Sequence, residues 1–284
     1  MNRRIFALLA AALLVLSVSG CTEKAAVQAQ TDLLATTQPV YQLANALTDG
    51  TGLTVSLLIS EPVSCLHDYT LTVSQMEKIE NAKLVLESGL GLEDFMADAL
   101  SGKTRIVVSS TLPTLEGDEG IDPHWWLDPT RFRAAAKLTA QELGSQYPEF
   151  TDQIAENFAA FDEKLEALQS YGDEALKNLS CRELVTFHDG FSYFADSFGL
   201  TIAAAMEVES GSEPSAKELE QIVSIVEKAK IPAVFTETNG ETGSAQVVAN
   251  ETGCKVYTLD MAISNADYFA AMRENINTIK EALG

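Results

Sequence analysis

The feature that most constrains the fold is a repeated alternation of short apolar runs with amphipathic segments. The runs of a first series occupy residues 32–37, 53–59, 83–86 and 104–108. A second series has its runs at residues 183–187, 201–208, 233–236 and 255–259. Continuous apolar runs of this length are typical of parallel strands buried on both faces, with helices between them. The sequence therefore predicts two α/β lobes of similar size, each with a parallel sheet.

A long helical region separates the two series. From Pro148 onward an apolar stripe recurs every three or four residues, formed by Phe150, Ile154, Phe158, Phe161, Leu165 and Leu168. Continued to Leu179, this helix would be about 45 Å long at about 1.5 Å per residue. A coiled-coil partner would also explain the stripe, but our interpretation is a helix that packs on both lobes. Gly172 is predicted to be its weak point.

The N-terminus has the layout of an export signal. Arg3 and Arg4 precede an apolar run that is too short for a confident transmembrane helix. Val-Ser-Gly-Cys at 18–21 resembles a bacterial lipobox, which predicts lipidation of Cys21; an ordinary signal peptide is the alternative. The predicted organisation is a signal peptide (1–20), a flexible tether (21–30), an N-terminal lobe (31–130), helices including the linker (131–179) and a C-terminal lobe (180–284).

The chain is strongly acidic, with a formal net charge of −22. Removal of the signal peptide would leave 17 basic and 41 acidic side chains, a net charge of −24. Such a surface repels nucleic acid and anionic lipid headgroups, so we expect no nucleic-acid partner. Most of this charge is explained by solubility.

Three cysteines remain beside Cys21, and no CxxC pair is present. Because an exported protein can form disulfides, we consider which of them could pair. Cys181 and Cys254 each precede a predicted strand of the second lobe. They are therefore predicted to lie at the same end of one sheet, where a disulfide and two free thiols are alternative outcomes. Cys65 has no evident partner.

One of only three histidines lies in a stiff loop. His124 stands in Asp-Pro-His-Trp-Trp-Leu-Asp-Pro at 122–129, and each proline restricts itself and its preceding residue. Asp128 is predicted to cap a following helix that has Pro129 in its first turn. A rigid histidine here is either a preorganised ligand or a buried structural residue.

The other two histidines follow predicted strands. His67 and His188 come after strands of the first and second lobe, and Glu237 and Asp260 end two further strands. Ligands of open parallel sheets bind beyond the carboxyl ends of the strands, so these residues can meet between the lobes. Three imidazoles and a carboxylate suit zinc, whereas calcium and magnesium prefer oxygen ligands.

These residues stand in segments that resemble the zinc- and manganese-binding solute receptors of bacterial ABC importers. The similar segments are residues 67–71, 80–86, 89–93, 122–129, 187–194, 235–237 and 257–260. The resemblance begins at about residue 32, reaches the C-terminus and keeps the family's motif order. It implies two α/β lobes with four-stranded parallel sheets, one long rigid connecting helix and a metal ion in the interlobe cleft.

The resemblance also implies a site and a partner. His67, His124 and His188 would be metal ligands, and Asp260 would supply the carboxylate. Histidine at the third position favours Zn²⁺, with Mn²⁺ as the alternative cargo. The chain would be a monomeric lipoprotein, lipid-anchored outside the cell membrane, that passes zinc to an ABC permease and catalyses nothing.

Three departures from the family pattern matter. The segment before His124 is short and acidic, without the histidine-rich loop of many zinc receptors. Leu66 replaces the glutamate that some members carry before the first histidine, which leaves Asp260 or water as fourth ligand. Cys65 is either a thiolate ligand or a small packed residue.

Two further acidic residues are candidates for supporting roles. Asp189 is a candidate for orienting a histidine, and Glu237 is a candidate for holding the two sides of the cleft together.

Three other functions are compatible with parts of this sequence. A manganese or iron receptor belongs to the same class. A surface adhesin would use the acidic exterior. A secreted zinc hydrolase would need an open metal position and a general base, for which Glu237 is available. No HExxH segment is present, so the hydrolase is the remotest reading.

Overall fold

The protein is described by a computed structural model at residues 30–61, 66, 69–117, 120–206, 214–238, 240, 242–263 and 267–284. The strands are β1 (Thr31–Ala35), β2 (Val55–Leu57), β3 (Ala82–Glu87), β4 (Arg105–Val107), β5 (Glu116–Gly117), β6 (Gly120–Ile121), β7 (Glu183–Thr186), β8 (Thr201–Ala205), β9 (Ala233–Glu237) and β10 (Lys255–Leu259). The helices are α1 (Gln38–Thr48), α2 (Val73–Asn81), α3 (Ala97–Leu100), α4 (Pro129–Gln146), α5 (Thr151–Leu176), α6 (Ser192–Ser197), α7 (Ala216–Ala229), α8 (Gly243–Thr252) and α9 (Tyr268–Leu283). Short 3₁₀ turns occupy Asp94–Met96, Trp125–Leu127 and Pro148–Phe150.

Two parallel four-stranded sheets form the cores of two lobes, which confirms the predicted fold class. The first sheet has the order β2-β1-β3-β4 and the second β10-β9-β7-β8. Every strand pair in these sheets is parallel. Helices cover both faces, so the apolar runs are buried on two sides, as predicted. The antiparallel pair β5–β6 was not predicted, because the acidic sequence there indicates a loop.

Helix α5 is the long connecting element. It packs against α4 along its length, against α1 of the first lobe and against α9 of the second. Ile154, Phe161, Leu165 and Leu168 of the predicted stripe are buried, whereas Phe150 and Phe158 are only partly covered. The stripe therefore faces a core shared by both lobes. None of the helices in the described part of the chain has the length and hydropathy to cross a membrane.

Gly172 is a packing position in α5 and not a weak point. A Cβ atom there would lie 2.2 Å from Cε1 of Phe198 and 2.7 Å from its Cζ. The phenyl ring of Phe198 is buried and cannot swing into solvent. Glycine thus lets the second lobe approach the connecting helix closely.

We expect Gly172→Ala to lower the free energy of unfolding by up to about 2 kcal/mol. The gain of about 1 kcal/mol in helix propensity is outweighed by overpacking against Phe198, which costs about 1–3 kcal/mol. Gly144→Ala in α4 is the matched control, because its Cβ would meet Thr151 at an ordinary 3.5 Å. Denaturant unfolding should show a more stable Gly144 variant; equal gains at both positions would contradict the packing argument.

Of the two outcomes left open for the cysteines of the second lobe, the structure has the free thiols. Cys181 and Cys254 are free thiols, each partly buried. They precede β7 and β10, and β9 lies between those two strands. Two strand spacings amount to about 9–10 Å, beyond the roughly 7 Å that a disulfide spans between Cα atoms. Location of both cysteines at the same end of one sheet is therefore not sufficient for a disulfide.

Candidate metal centre

The loop that carries His124 is fixed at its end by a helix cap. The Asp128 carboxylate accepts hydrogen bonds from the backbone N–H groups of Thr130 (2.7 Å) and Arg131 (3.2 Å) at the start of α4. Pro129 lies in the first turn, as predicted. Asp128 also pairs with the Arg131 guanidinium and accepts from the Ser197 hydroxyl at 3.1 Å. The second lobe therefore holds the end of this loop.

Asp122 sets the orientation of the His124 ring. Its Oδ1 accepts from the backbone N–H of His124 at 2.9 Å and lies 2.7 Å from the ring Nδ1. Both side chains are buried. Because the carboxylate engages Nδ1, the other nitrogen, Nε2, keeps its lone pair for a metal ion. Oδ2 of Asp122 has no hydrogen-bond partner among the described residues.

His188 lies opposite His124, just beyond the carboxyl end of β7. The two ring centroids are 5.2 Å apart and the ring planes meet at 82°. Nε2 of His188 is buried and lacks a hydrogen-bond partner within the described chain. Burial is the main cause that lowers the pKa of His188 to about 3, and the neighbouring His124 adds to it. The imidazole is therefore neutral at pH 7, which is the form that binds metal.

Close backbone approach keeps His188 in place. A Cβ atom at Gly190 would lie 2.6 Å from Met261 Cε and 2.7 Å from His188 Cδ2. The chain after β7 can therefore fold over the imidazole only with glycine at this position. This glycine follows His188 and Asp189 in the segment that the sequence singled out.

Trp126, whose indole lies against the His124 ring, joins the two lobes. The indole of Trp126 meets the His124 ring edge-on at 5.3 Å between centroids. Its Nε1–H donates to the backbone carbonyl of Met261 at 2.8 Å, and the Tyr268 hydroxyl donates to the Trp126 carbonyl at 2.7 Å. All three of these side chains are buried. The imidazole pair thus lies against a closed interlobe contact.

The predicted carboxylates lie at the strand ends of the second lobe. The backbone of Asp260 is held by the Asn275 side chain, through bonds of 2.8 Å and 2.7 Å. Asp260 Oδ1 accepts from the Ala262 N–H at 2.7 Å. Glu237 is buried and lies under Gly240, where a Cβ would come within 2.5 Å of its Cγ. Asp189 faces the β5–β6 hairpin, 2.9 Å from the position of a Cβ on Gly117.

Several predicted residues lie outside the described part of the chain. These are His67, Cys65, the lipidation residue Cys21, the signal peptide and nearly all of the tether. Within the described residues, no group of three or more histidine, cysteine, aspartate or glutamate side chains is arranged to hold a metal ion. The structure brings together His124 and His188, and no described contact joins Asp260 to either ring.

Asp122 is the site residue that sequence reasoning missed. We considered Asp189 as the partner of a histidine, because it follows His188 directly. The available signal was the Asp-Pro-His spacing, since an aspartate readily accepts from the backbone N–H two residues on. The same turn brings the carboxylate to Nδ1 of His124.

Comparison with known proteins identifies a family that covers most of the chain. Residues 33–282 match the ZnuA family, described as zinc-uptake complex component A, periplasmic. The zinc-binding lipoprotein AdcA of Streptococcus pneumoniae serotype 4 is 27% identical over 305 residues, covering 96% of this chain and 60% of AdcA. The chain thus spans about 60% of the length of that relative.

Two further similarities cover most of both chains. The manganese-binding lipoprotein MntA of Halalkalibacterium halodurans is 24% identical over 231 residues, which are 76% of this chain and 77% of MntA. A crystal structure of ZnuA superimposes with a TM-score of 0.80 at 28% identity, covering 89% of this chain and 98% of that one. Both the lobes and the helix that joins them are therefore shared with a solved metal-uptake protein.

Proposed function

We propose that this chain, which belongs to the ZnuA family of zinc-uptake components, is an extracytoplasmic receptor that captures Zn²⁺ for import. The ligands in this proposal are His67, His124, His188 and Asp260. The observation that carries it is the facing pair of buried imidazoles, in which His188 presents a neutral nitrogen without a partner in the described chain. An unpaired buried acceptor is costly, and a bound cation would remove that cost.

The spacing of the two rings suits one shared zinc ion. With Zn–N distances of about 2.0–2.1 Å and tetrahedral angles, two imidazoles on one zinc have centroids roughly 5 Å apart. The distance between His124 and His188 is 5.2 Å. The rings are also nearly perpendicular, so they are not stacked face to face. The separation of this pair therefore already matches that of two imidazoles on one zinc ion.

Manganese is the alternative cargo, because a relative of similar length is named a manganese-binding lipoprotein. Imidazole ligands favour zinc over manganese in the usual order of metal affinities. With two of the proposed ligands from the first lobe and two from the second, the ion would lie between the lobes. The proposal is capture and release, with no bond of a substrate made or broken.

Delivery and anchoring complete the proposal. Cys21 would carry the lipid, the tether would end near Gln30, and an ABC permease would accept the ion from a monomeric receptor. The lobes of this proposal are 31–130 and 180–284, with residues 131–179 as the connection. Replacing Cys21 with serine in cells should release the receptor from the membrane fraction; retention of that variant would contradict the lipid anchor.

Zinc is expected to raise the thermal midpoint of the protein, and a chelator is expected to reverse the shift. A ligand that binds only the folded state at 100 times its Kd adds about 2.7 kcal/mol of stability. For a chain of this size that corresponds to roughly 5–10 °C. Calorimetry with zinc, manganese and EDTA measures it.

Competition in chelator-buffered solution then decides the cargo. Zinc should displace manganese from a one-to-one complex at equal free concentrations. If manganese displaces zinc, the chain is a manganese receptor of the same family. If neither metal shifts the thermal midpoint, the proposed function is wrong.

A further inference from the structure

A buried carboxylate of the first lobe connects two strand ends to the loop of His124. Glu93 is only 5% exposed and belongs to no ion pair in the described chain. It stands after the turn that leaves β3, just before the 3₁₀ turn Asp94–Met96. A carboxyl group buried in this way needs hydrogen bonds, and it accepts three.

Each hydrogen bond of Glu93 holds a strand end. Oε1 accepts from the Thr36 hydroxyl at 2.6 Å, directly after β1. The same oxygen accepts from the Ser88 N–H at 2.7 Å, and Oε2 accepts from the Gly89 N–H at 2.9 Å, directly after β3. The carboxylate therefore fixes the ends of two neighbouring strands at the edge where the site lies.

The turn that Glu93 closes has an unusual backbone. Gly89, Leu90 and Gly91 have φ values of 88°, 58° and 87°. Leucine rarely adopts a positive φ, so this turn needs a group that holds it. Glycine is also required at position 89, because a Cβ there would lie 2.3 Å from Ser109 Oγ. Without the carboxylate, the segment that begins at Ser88 would lose the bonds that define its path.

Ser88 passes this constraint to the loop of His124. Its Oγ accepts from Trp125 Nε1–H at 3.0 Å. Trp125 is fully buried, and its indole packs edge-on against Phe132 and Trp126. Because Trp125 follows His124 in the chain, the position of its indole fixes the backbone from which the imidazole projects.

We propose that Glu93 is a positioning residue for zinc capture, which acts through Ser88 and Trp125 on the orientation of His124. This rests on the proposed function. The carboxylate stands two hydrogen bonds away from the residue beside His124, so it does not touch the ion. Its role is to keep one ligand in the geometry that the ion requires, and a looser ligand releases the ion faster.

The chain offers a matched control for this role. Glu87 is 6% exposed, close to the 5% of Glu93, and both side chains line one surface pocket. Glu87 pairs with Arg105 at 3.1 Å, and within the described chain its side chain makes no hydrogen bond to Ser88 or Thr36. A purely structural effect of losing a buried carboxylate should therefore appear equally in Glu87→Gln and Glu93→Gln.

The experiment measures zinc release from the full mature chain into excess chelator by stopped flow. We expect Ser88→Ala and Trp125→Phe each to release zinc about 10-fold faster, the size typical of lost outer contacts. The double variant should be no faster than either alone, because both remove one contact. Glu93→Gln keeps an acceptor for Ser88 and should show a smaller increase; Glu87→Gln should release zinc at the wild-type rate.

A spectroscopic readout keeps the test independent of folding stability. The chain has two tryptophans, so the indole N–H groups give two resonances in a ¹⁵N-labelled sample. In Glu93→Gln and Ser88→Ala, the Trp125 resonance should move, while that of Trp126, bonded to Met261, should stay. Equal release rates in the Glu93, Ser88 and Glu87 variants, or an unmoved Trp125 resonance, would overturn the inference. Failure of the wild-type chain to bind zinc would instead overturn the proposed function.

Discussion

Replacing His188 with alanine is expected to weaken zinc binding by about 100-fold. Structural zinc sites supply about 10–16 kcal/mol from four ligands, or roughly 3 kcal/mol for each, and each 1.4 kcal/mol is a factor of ten in Kd. Removal of His188 should cost at least this share of the zinc-binding free energy, because burial already keeps its ring neutral and desolvated before zinc binds. Isothermal titration with a chelating competitor measures the change.

The same substitution should leave the metal-free protein nearly as stable as before. The imidazole nitrogen Nε2 has no partner in the described chain, so its removal deletes an uncompensated polar group and leaves a small cavity. Those two effects have opposite signs. The thermal midpoint without metal should thus change little, while the shift on adding zinc should largely disappear.

Thr186→Val is the matched control for His188. Thr186 lies two residues earlier on β7, is 1% exposed, and its hydroxyl also has no partner among the described residues. Valine has nearly the same shape, so this variant changes buried polarity on the same strand without touching a ligand. It should bind zinc as the wild type does. If both variants lose zinc, or if His188→Ala keeps it, His188 is not a ligand.

Much of the fold was predictable because the pattern that encodes it is local. Each apolar run marked a strand buried on both faces, and the stripe after Pro148 marked one face of α5. The order in which the strands pair and the close contacts between distant segments are not encoded locally. Nothing in the spacing of Cys181 and Cys254 reveals that β9 lies between their strands. From the sequence, Gly172 looks like a weak point of the helix; only the structure shows that Phe198, distant in sequence, packs against it.

The site was predictable to the extent that residue type and strand position carry chemistry. His188 was expected at the cleft because it follows a strand, and His124 was expected to join it from its loop. The residues that orient them were harder to predict, because Asp, Ser and Glu have many ordinary uses in loops. Asp122 and Glu93 are distinguished only by burial and by the atoms they contact. Those properties depend on the tertiary structure.

Asp122→Asn is expected to weaken zinc binding by about 10-fold, and Asp122→Ala by about 100-fold, the range found for residues that orient a ligating histidine. Asparagine can still accept from the backbone N–H and Nδ1–H of His124 through Oδ1, so the ring keeps its orientation. What it loses is the negative charge that raises the basicity of the imidazole when zinc binds at Nε2. Alanine loses orientation as well.

The stability of the metal-free protein should respond in the opposite direction. Oδ2 of Asp122 is buried and unpaired in the described structure, so a carboxylate is costly there until a cation binds nearby. Asparagine removes that charge, and the thermal midpoint without zinc should rise or stay level. In the wild type, the Asp122 carboxylate therefore strengthens zinc binding and lowers the stability of the metal-free protein. Such a trade-off is expected of a residue that serves ligand binding.

Asp128→Asn separates this role from simple loop support. Asp128 lies at the other end of the same loop, caps α4 and pairs with Arg131. Asparagine still caps the helix, but it loses the ion pair with the largely buried Arg131, which should lower stability by at least about 1 kcal/mol. The zinc Kd should stay within roughly twofold, since the oxygens of Asp128 face the helix and Ser197. The two variants should therefore differ in what they change. Asp122→Asn should lower the zinc affinity, and Asp128→Asn should lower the thermal midpoint. Parallel losses in both measurements for both variants would show that Asp122 serves the loop and not the ion.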